Sequence, residues 1–505
     1  MRISKDTIYL LVTGLVLFLF ALPLSLKVNF MQNDDWVYYR NVQSFLQGNF
    51  SLIPETAPTF YLQGLVGSLF ALIFGITKLP VLTLLFSTAS FIIFCFIVRD
   101  FFKQSTINSL LIGLLFFFNP LNVYSMLGFM TESYFMFFLL CSVYFFLKFQ
   151  KTKNRGDLNL FFLFSVLGFF IRQISLVTLL TASVYFLIKK SYKSFWSTLF
   201  VFSSTLFFYQ VIFPKTFEMV EKDFQFHHIF DRGYAYSLIY GSLILLAAFS
   251  IPLIIGLIQK VDKKKIRQVI FYSVLMFVIL NHFYKPMSIS WGEFPYFENT
   301  YERTGFLARG ILGTKYQFRG IYDLYKYWDL VAKVLLSVFI SIVILNKRKK
   351  IVNYQLLWSI LYLCLLIVTF TVYDRYLLFL FPFGILFILN LEPRINKTLL
   401  CAFVVFLGFY TYQFSYDFVL SNNYVWSKAN EIVKKENIQS NSLYVNGAWS
   451  FEHGGCGNFC RYVFSFDSPE VNKEINYQYQ MVEKKRIYYT LNIHINPNIY
   501  LYRIR

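Results

Sequence analysis

The chain is 505 residues long, 57% hydrophobic and 15% charged, with a formal net charge of +20 at pH 7. A soluble chain of this length needs more polar surface to cover its core, so the composition excludes an ordinary soluble protein and implies a polytopic membrane protein. The excess of Lys and Arg suggests nucleic acid at first sight, but the preference of cytoplasmic loops for positive charge accounts for it if those residues fall in alternate loops.

Taken in chain order, apolar runs of about the length that spans hydrocarbon as a helix fall near 7–26, 79–98, 107–127, 132–149, 158–171, 174–188, 195–213, 235–258, 268–283, 329–345, 354–370, 375–390 and 398–415. The first lacks a small-residue cleavage pattern and reads as a retained helix, not a signal peptide. The two runs flanking Arg172 also read as one broken helix. The run 60–77, "FYLQGLVGSLFALIFGIT", is taken as a helix along the outer membrane surface, because counting it as spanning inverts every later loop. The 63 Phe are read as codon drift in an AT-rich genome, so no aromatic cofactor box is inferred from them.

Charge supports that topology. With the N-terminus inside, the densest basic loops all fall on the cytoplasmic side: "RDFFK" (99–103), "KFQKTKNR" (148–155), "KKSYK" (189–193), "KVDKKKIR" (260–267) and "NKRKK" (346–350). The opposite side receives Asp34, Asp35, Glu132, the loop "FEMVEKDFQFHHIFDR" and a long loop at 284–328. The tail 416–505 then lies outside, with strand-like pieces such as "NSLYVNGAWSF" and "NIYLYRIR". The expected architecture is an all-α polytopic membrane protein of about 13 transmembrane helices, residues 1–415, with outer juxtamembrane helices and a small α/β extracytoplasmic domain over 416–505.

Ionisable groups are nearly absent from the runs: Arg172, Asp329, Lys333 and Arg375 lie near predicted ends. Ion-coupled transporters usually keep charged or broken elements at mid-depth, which lowers that reading. Acids gather on the outer face instead, at Asp34, Asp35 and Glu132, with cations at Arg172, Arg303, Arg309, Lys315, Arg319 and Arg375. A carboxylate at an apolar boundary has its ionised form destabilised and suits a general base. Arginine suits phosphate through paired, charge-assisted hydrogen bonds. Such a base beside phosphate clamps is what sugar transfer from a lipid-phosphate carrier requires. Each residue has a plainer reading: Asp34 as an exposed loop acid or helix N-cap, Asp35 in a supporting or metal-coordinating role, Glu132 as a cap, Arg375 as a side chain snorkelling to an interface.

The stretches "NDDWVYYRNVQSFLQGNF" and "APTFYLQGLVGSLFALIFG" together resemble the first outer loop of the GT-C glycosyltransferases, the polyprenyl-phosphate-sugar enzymes related to protein O-mannosyltransferases and the lipid A aminoarabinose transferase. Asp34 takes the Asp place of that loop, Asp35 its Glu place and Tyr38 its Tyr place. "FMTESYFMFFLLCSVYFFL" is similar to the segment opening the family's fourth helix, with Glu132 for Asp. "DRYLLFLFPFG" is similar to its Arg-Tyr-Leu-Leu signature, and "WSKANEIVKKENIQSNSLYVNGAWSF" to the start of its outer domain. Residues 55–59 read "ETAPT" where the family often shows Lys-Pro-Pro, so one phosphate-contacting Lys has no counterpart.

The resemblance implies an inverting transfer of sugar from a polyprenyl-phosphate donor to a lipid, protein or cell-wall acceptor on the extracytoplasmic face of a bacterial inner membrane. Asp34, Asp35 and Glu132 are the expected catalytic residues. Arg375, Arg172, Arg303, Arg309 and Lys315 are the expected donor-phosphate ligands, and Tyr38 and Tyr376 the substrate-positioning ones. No metal or other cofactor is expected, although the adjacent acids leave a divalent ion open. Two other classes stay in view: a lipid-linked polysaccharide polymerase, ligase or flippase, and a non-enzymatic transporter. His227 and His228 form no metal set by themselves. Cys456 and Cys460, placed outside, admit either a small-loop disulfide or free thiols. "NFS" (49–51) formally fits a glycosylation sequon.

Overall fold

Polar caps start the helices where the sequence leaves loops. In the computed structural model, which describes residues 4–212, 226–229, 232–283, 288–289, 292–293, 321–345, 353–369, 374–457, 460–465, 478–488 and 498–505, the Ser4 hydroxyl accepts the Thr7 N–H and opens α1 (Lys5–Lys27). Helices α2 (Asp35–Leu46) and α3 (Tyr61–Phe74) follow, then α4 (Leu79–Phe102), α5 (Thr106–Phe117), α6 (Pro120–Ser125), α7 (Thr131–Thr152), α8 (Arg155–Phe169), α9 (Leu176–Ile188) and α10 (Tyr192–Phe207). Beyond them come α11 (Arg232–Phe249), α12 (Ile251–Ile258), α13 (Ile266–Phe283), the short antiparallel strands β1 (Ser288–Ile289) and β2 (Gly292–Glu293), α14 (Ile321–Leu345), α15 (Tyr354–Val368) and α16 (Leu380–Asn390). Ser105, Asn154, Asn353 and Asn396 cap α5, α8, α15 and the next helix by the same side-chain bond to a backbone N–H.

That next helix, α17 (Lys397–Glu436), runs 40 residues without a break across the boundary expected at 415. The chain ends in β3 (Leu443–Tyr444), α18 (Gly447–His453), β4 (Tyr462–Ser465), β5 (Tyr479–Arg486) and β6 (Asn498–Ile504). The sheet order is β3-β4-β6-β5, with β3 parallel to β4 and the other pairs antiparallel. The fold is thus mostly helical with a small C-terminal sheet, as expected.

The expected count of about 13 crossings is not met by helix length. Among the described residues four helical segments are long and apolar enough to cross a membrane, Lys5–Lys27, Ile76–Phe102, Thr131–Thr152 and Lys397–Glu436, or five counting a pair bent by 83°. Each expected run does hold helix, but several are broken. Asn119 and Pro120 divide the run 107–127 into α5 and α6, and Ser250 with Pro252 bends the run 235–258. Continuous hydrophobicity specifies burial in an apolar medium; it does not specify one straight helix.

The outward faces are apolar. Leu11, Val12, Leu15, Val16, Leu19 and Phe20 of α1 are exposed, a surface suited to hydrocarbon and costly in water. Helix α3 is inverted in the same sense, with Gln63, Gly64, Gly67, Ser68 and Ala71 buried and Leu65, Leu69, Leu72, Ile73 and Phe74 exposed. Its 14 residues reach only about 21 Å, short of a bilayer core. Gln63 Nε2 donates to the Phe129 carbonyl at 3.0 Å, and the Leu62 N–H to the Phe170 carbonyl at 2.9 Å. These bonds fix α3 across the mouths of the α6–α7 and α8–α9 turns.

Candidate active site

Four charged side chains meet where the starts of α2 and α7, the α8–α9 turn and the short helical segment Asp374–Phe379 converge. Asp34 occupies the N-cap position of α2, yet its side chain makes no capping bond. Its Oδ2 accepts from Arg375 Nη2 at 2.7 Å. Arg375 Nε lies 3.4 Å from Glu132 Oε1, and Arg172 Nη2 donates to that same oxygen at 3.0 Å. Arg172 Nε donates to Thr131 Oγ1 at 2.6 Å. Acid and base thus alternate along one chain of contacts: Asp34, Arg375, Glu132, Arg172.

Burial grades the four. The Glu132 side chain is 0% exposed, Arg375 4%, Arg172 11% and Asp34 39%. Glu132 lies in the first turn of α7, where the helix N-terminus favours an anion. It ties both guanidiniums to that helix. Its Oε2 is buried with no hydrogen-bond partner among the described residues, an acceptor held within the cluster. Both guanidiniums also face the Tyr376 ring, with the Arg172 carbon 4.7 Å and the Arg375 carbon 5.5 Å from its centroid. The Tyr362 hydroxyl donates to the Tyr376 carbonyl at 3.1 Å and holds that segment.

Tyr38 is buried one turn along α2 and stacks on Phe60, centroids 4.7 Å apart. Burial pushes its phenol above the ordinary 10.0; Asp34 and Glu132 add to the rise, while Arg172 and Arg375 oppose it. All four charges act on this one group, and it stays a neutral hydroxyl at physiological pH.

Asp35 goes the other way. It is 1% exposed, and its Oδ2 accepts the Gln32 N–H at 3.2 Å. Burial raises its carboxyl well above the ordinary 3.8, against backbone hydrogen bonds from Phe129 and Gln32 that lower it. A Cβ on Gly128 would fall on this carboxyl group, so only glycine lets the α6–α7 turn approach so closely. The structure therefore brings Asp34, Glu132, Arg172, Arg375, Tyr38 and Tyr376 together and keeps Asp35 out of the ion-pair chain, as a buried brace beneath it.

Arg303, Arg309, Lys315 and Arg319 lie outside the described residues, as does the His228 side chain; His227 is exposed on a single turn, Phe226–Ile229. Among the described residues no three His, Cys, Asp or Glu side chains converge as a metal set would. Cys456 and Cys460 are joined in a disulfide, Cα atoms 5.0 Å apart. Thr131 and Tyr362 are the contributors that sequence reading missed. Thr131 was signalled by its adjacency to Glu132, whereas Tyr362 sits inside an apolar run with nothing to mark it.

Two solved structures align over nearly the whole chain. ArnT from Cupriavidus metallidurans bound to undecaprenyl phosphate is 10% identical, with a TM-score of 0.40 and coverage of 98% of this chain and 97% of that one. The apo state of the same protein is 11% identical, with the same TM-score and coverage. No protein-family model and no curated protein matches the sequence.

Proposed function

We propose that the chain is a membrane glycosyltransferase that moves a sugar from a polyprenyl-phosphate carrier to an acceptor on the extracytoplasmic face, with inversion at the anomeric carbon. The observation that carries this reading is the chain of contacts from Asp34 through Arg375 and Glu132 to Arg172: two buried guanidiniums beside one partly exposed carboxylate. Buried arginines held in place by an acid are suited to a phosphate oxygen. A carboxylate with a path to water beside them is suited to an acceptor hydroxyl or amine.

In this reading residues 1–415 form the membrane-embedded catalytic part, in the GT-C manner, and residues 416–505 the outer domain. The donor phosphate sits on Arg375 and Arg172, and its lipid lies among the apolar helices. Asp34 takes the acceptor's proton as the nucleophile forms its bond to the anomeric carbon. The bond from that carbon to the phosphate oxygen breaks, and its electron pair leaves with polyprenyl phosphate, whose growing charge the two guanidiniums stabilise. Tyr38 donates a neutral hydroxyl, and Glu132 keeps both arginines aimed. Asp35 acts from below by holding the α6–α7 turn.

The test pairs purified wild type with Asp34→Asn against a panel of polyprenyl-phosphate sugars, with lysate as acceptor, and follows polyprenyl phosphate release by mass spectrometry. Wild type should release it, and the variant, equally well folded, should be slower by about 10²- to 10⁴-fold, the usual contribution of a general base. Equal rates would move the base elsewhere. No release from any donor would reject the reading in favour of a polymerase or a transporter.

A further inference from the structure

We propose that Asp34 and the donor phosphate compete for the same guanidinium, so that donor binding itself releases the carboxylate that the reaction needs. The inference rests on the donor site assigned above and adds an order of events to it. Among the described residues the two acids and two arginines of the cluster sum to zero formal charge, with each guanidinium set against a carboxylate. A phosphodiester on these two arginines sets three anions against two cations among the described residues, which favours release of the carboxylate held least.

The geometry selects which one. Glu132 is fully buried at the start of α7 and is held by both arginines. Asp34 has one bond to the cluster, makes no capping bond to its own helix, and is the most exposed of the four. Arg375 is nearly sealed, and Asp34, bonded to its Nη2, is the exposed member of the pair. The turn before Asp34 is fixed by Asn33 in the left-handed region, φ 49°, and the release needs only side-chain rotation.

The consequence is sequential. While Arg375 holds Asp34, one lone-pair site of Oδ2 is engaged and the carboxylate is turned toward the guanidinium, away from an acceptor. Phosphate on Arg375 turns Asp34 out toward the acceptor, so deprotonation follows donor binding. After transfer Asp34 carries the acceptor's proton; once that proton passes to water, the carboxylate returns to Arg375 and displaces the polyprenyl phosphate product.

The test is calorimetric titration of a short-chain polyprenyl phosphate into the full-length protein in detergent, using wild type, Asp34→Asn and Arg375→Gln. Removing the competitor should tighten binding about tenfold, on the scale of one charge-assisted hydrogen bond, while turnover is lost. Arg375→Gln should weaken binding by at least as much. Asp34→Ala removes the same competitor and gives the same sign if the amide disturbs the fold. Equal or weaker binding by the Asp34 variants, with wild type active, overturns the competition and leaves the donor site standing. Failure of wild type to bind the lipid phosphate rejects the donor site and the competition together.

Discussion

Adjacent carboxylates at 34 and 35 part company because consecutive positions at a helix start point about 100° apart. Asp34 reaches Arg375, whereas Asp35 turns inward beneath the α6–α7 turn. Burial raises the Asp35 carboxyl above its ordinary 3.8, so the fold favours its neutral form. The stability it contributes is complete below about pH 3.8 and is lost as pH rises through the folded-state value, because the unfolded chain gains the ionised form first. Asp35→Asn keeps the neutral shape without that loss. Denaturation of both proteins in detergent between about pH 4 and 8 should show the variant gaining on wild type steadily as pH rises; a difference independent of pH would mean that Asp35 ionises alike in both states. The meeting of Asp34, Glu132, Arg172 and Arg375 was legible in the sequence for a physical reason: charges flanking apolar runs must find partners, and topology put these at one depth. The inward turn of Asp35 was not legible, since it depends on the helix phase and on a backbone approach that only Gly128 permits.

Elements were legible by kind and not by length. Apolar runs located helices throughout, but where a run breaks was decided by single residues such as Asn119, Pro120, Ser250 and Pro252. Packing decided the orientation of α3, which hides its small and polar face and turns Leu69, Leu72 and Ile73 outward. The helix that carries Asp34 is held from two sides. On one side Asn423 of α17 accepts the Asn29 N–H at 2.9 Å and donates to the Lys27 carbonyl at 2.7 Å, anchoring the segment that leads into Asp34. On the other, Arg40 stacks on Trp36, 5.1 Å from the ring, and donates to the Glu452 carbonyl of α18. The outer domain therefore rests on α2. Arg40→Ala removes the Arg40–Glu452 hydrogen bond of this contact at an exposed position, a loss of about 1 kcal/mol. Amide exchange over residues 447–453 should then rise about fivefold, with exchange in β6 unchanged. Unaltered exchange in α18 would show that its docking depends on Trp426 and Trp449 packing instead.

At the scale of the whole molecule, the same helices carry opposite chemistry at their two ends. Helix α7 carries Glu132 in its first turn, in the acid–arginine cluster, and near its other end Lys148, some 24 Å along by helical rise, pairs with Asp157 at 3.0 Å. Near that second end the Tyr144 hydroxyl donates to Asp100 at 3.4 Å and Arg99 reaches Thr7 at 3.4 Å, so the N-terminus and the basic loops at 99–103 and 148–155 share one side. Lys260 meets Glu392 at 3.0 Å, and Glu392 lies a full helix beyond Arg375. The basic clusters at 99–103, 148–155 and 260–267 thus lie at helix ends away from the site, the arrangement that the positive-inside preference requires if the site faces outward. The Cys456–Cys460 disulfide, joined to the site side through α18, agrees with an oxidising exterior. Sidedness can be read in spheroplasts with a membrane-impermeant maleimide, on a chain whose Cys95, Cys141, Cys364 and Cys401 are replaced by Ser. Cys456 and Cys460 should react after mild reduction without permeabilisation. With those two also replaced, Asp262→Cys, in the basic loop 260–267, should react only after the membrane is opened. The reverse pattern would put the acid–arginine cluster on the cytoplasmic side, where an acceptor outside the cell could not reach Asp34, and the proposed reaction would have to run on an intracellular acceptor.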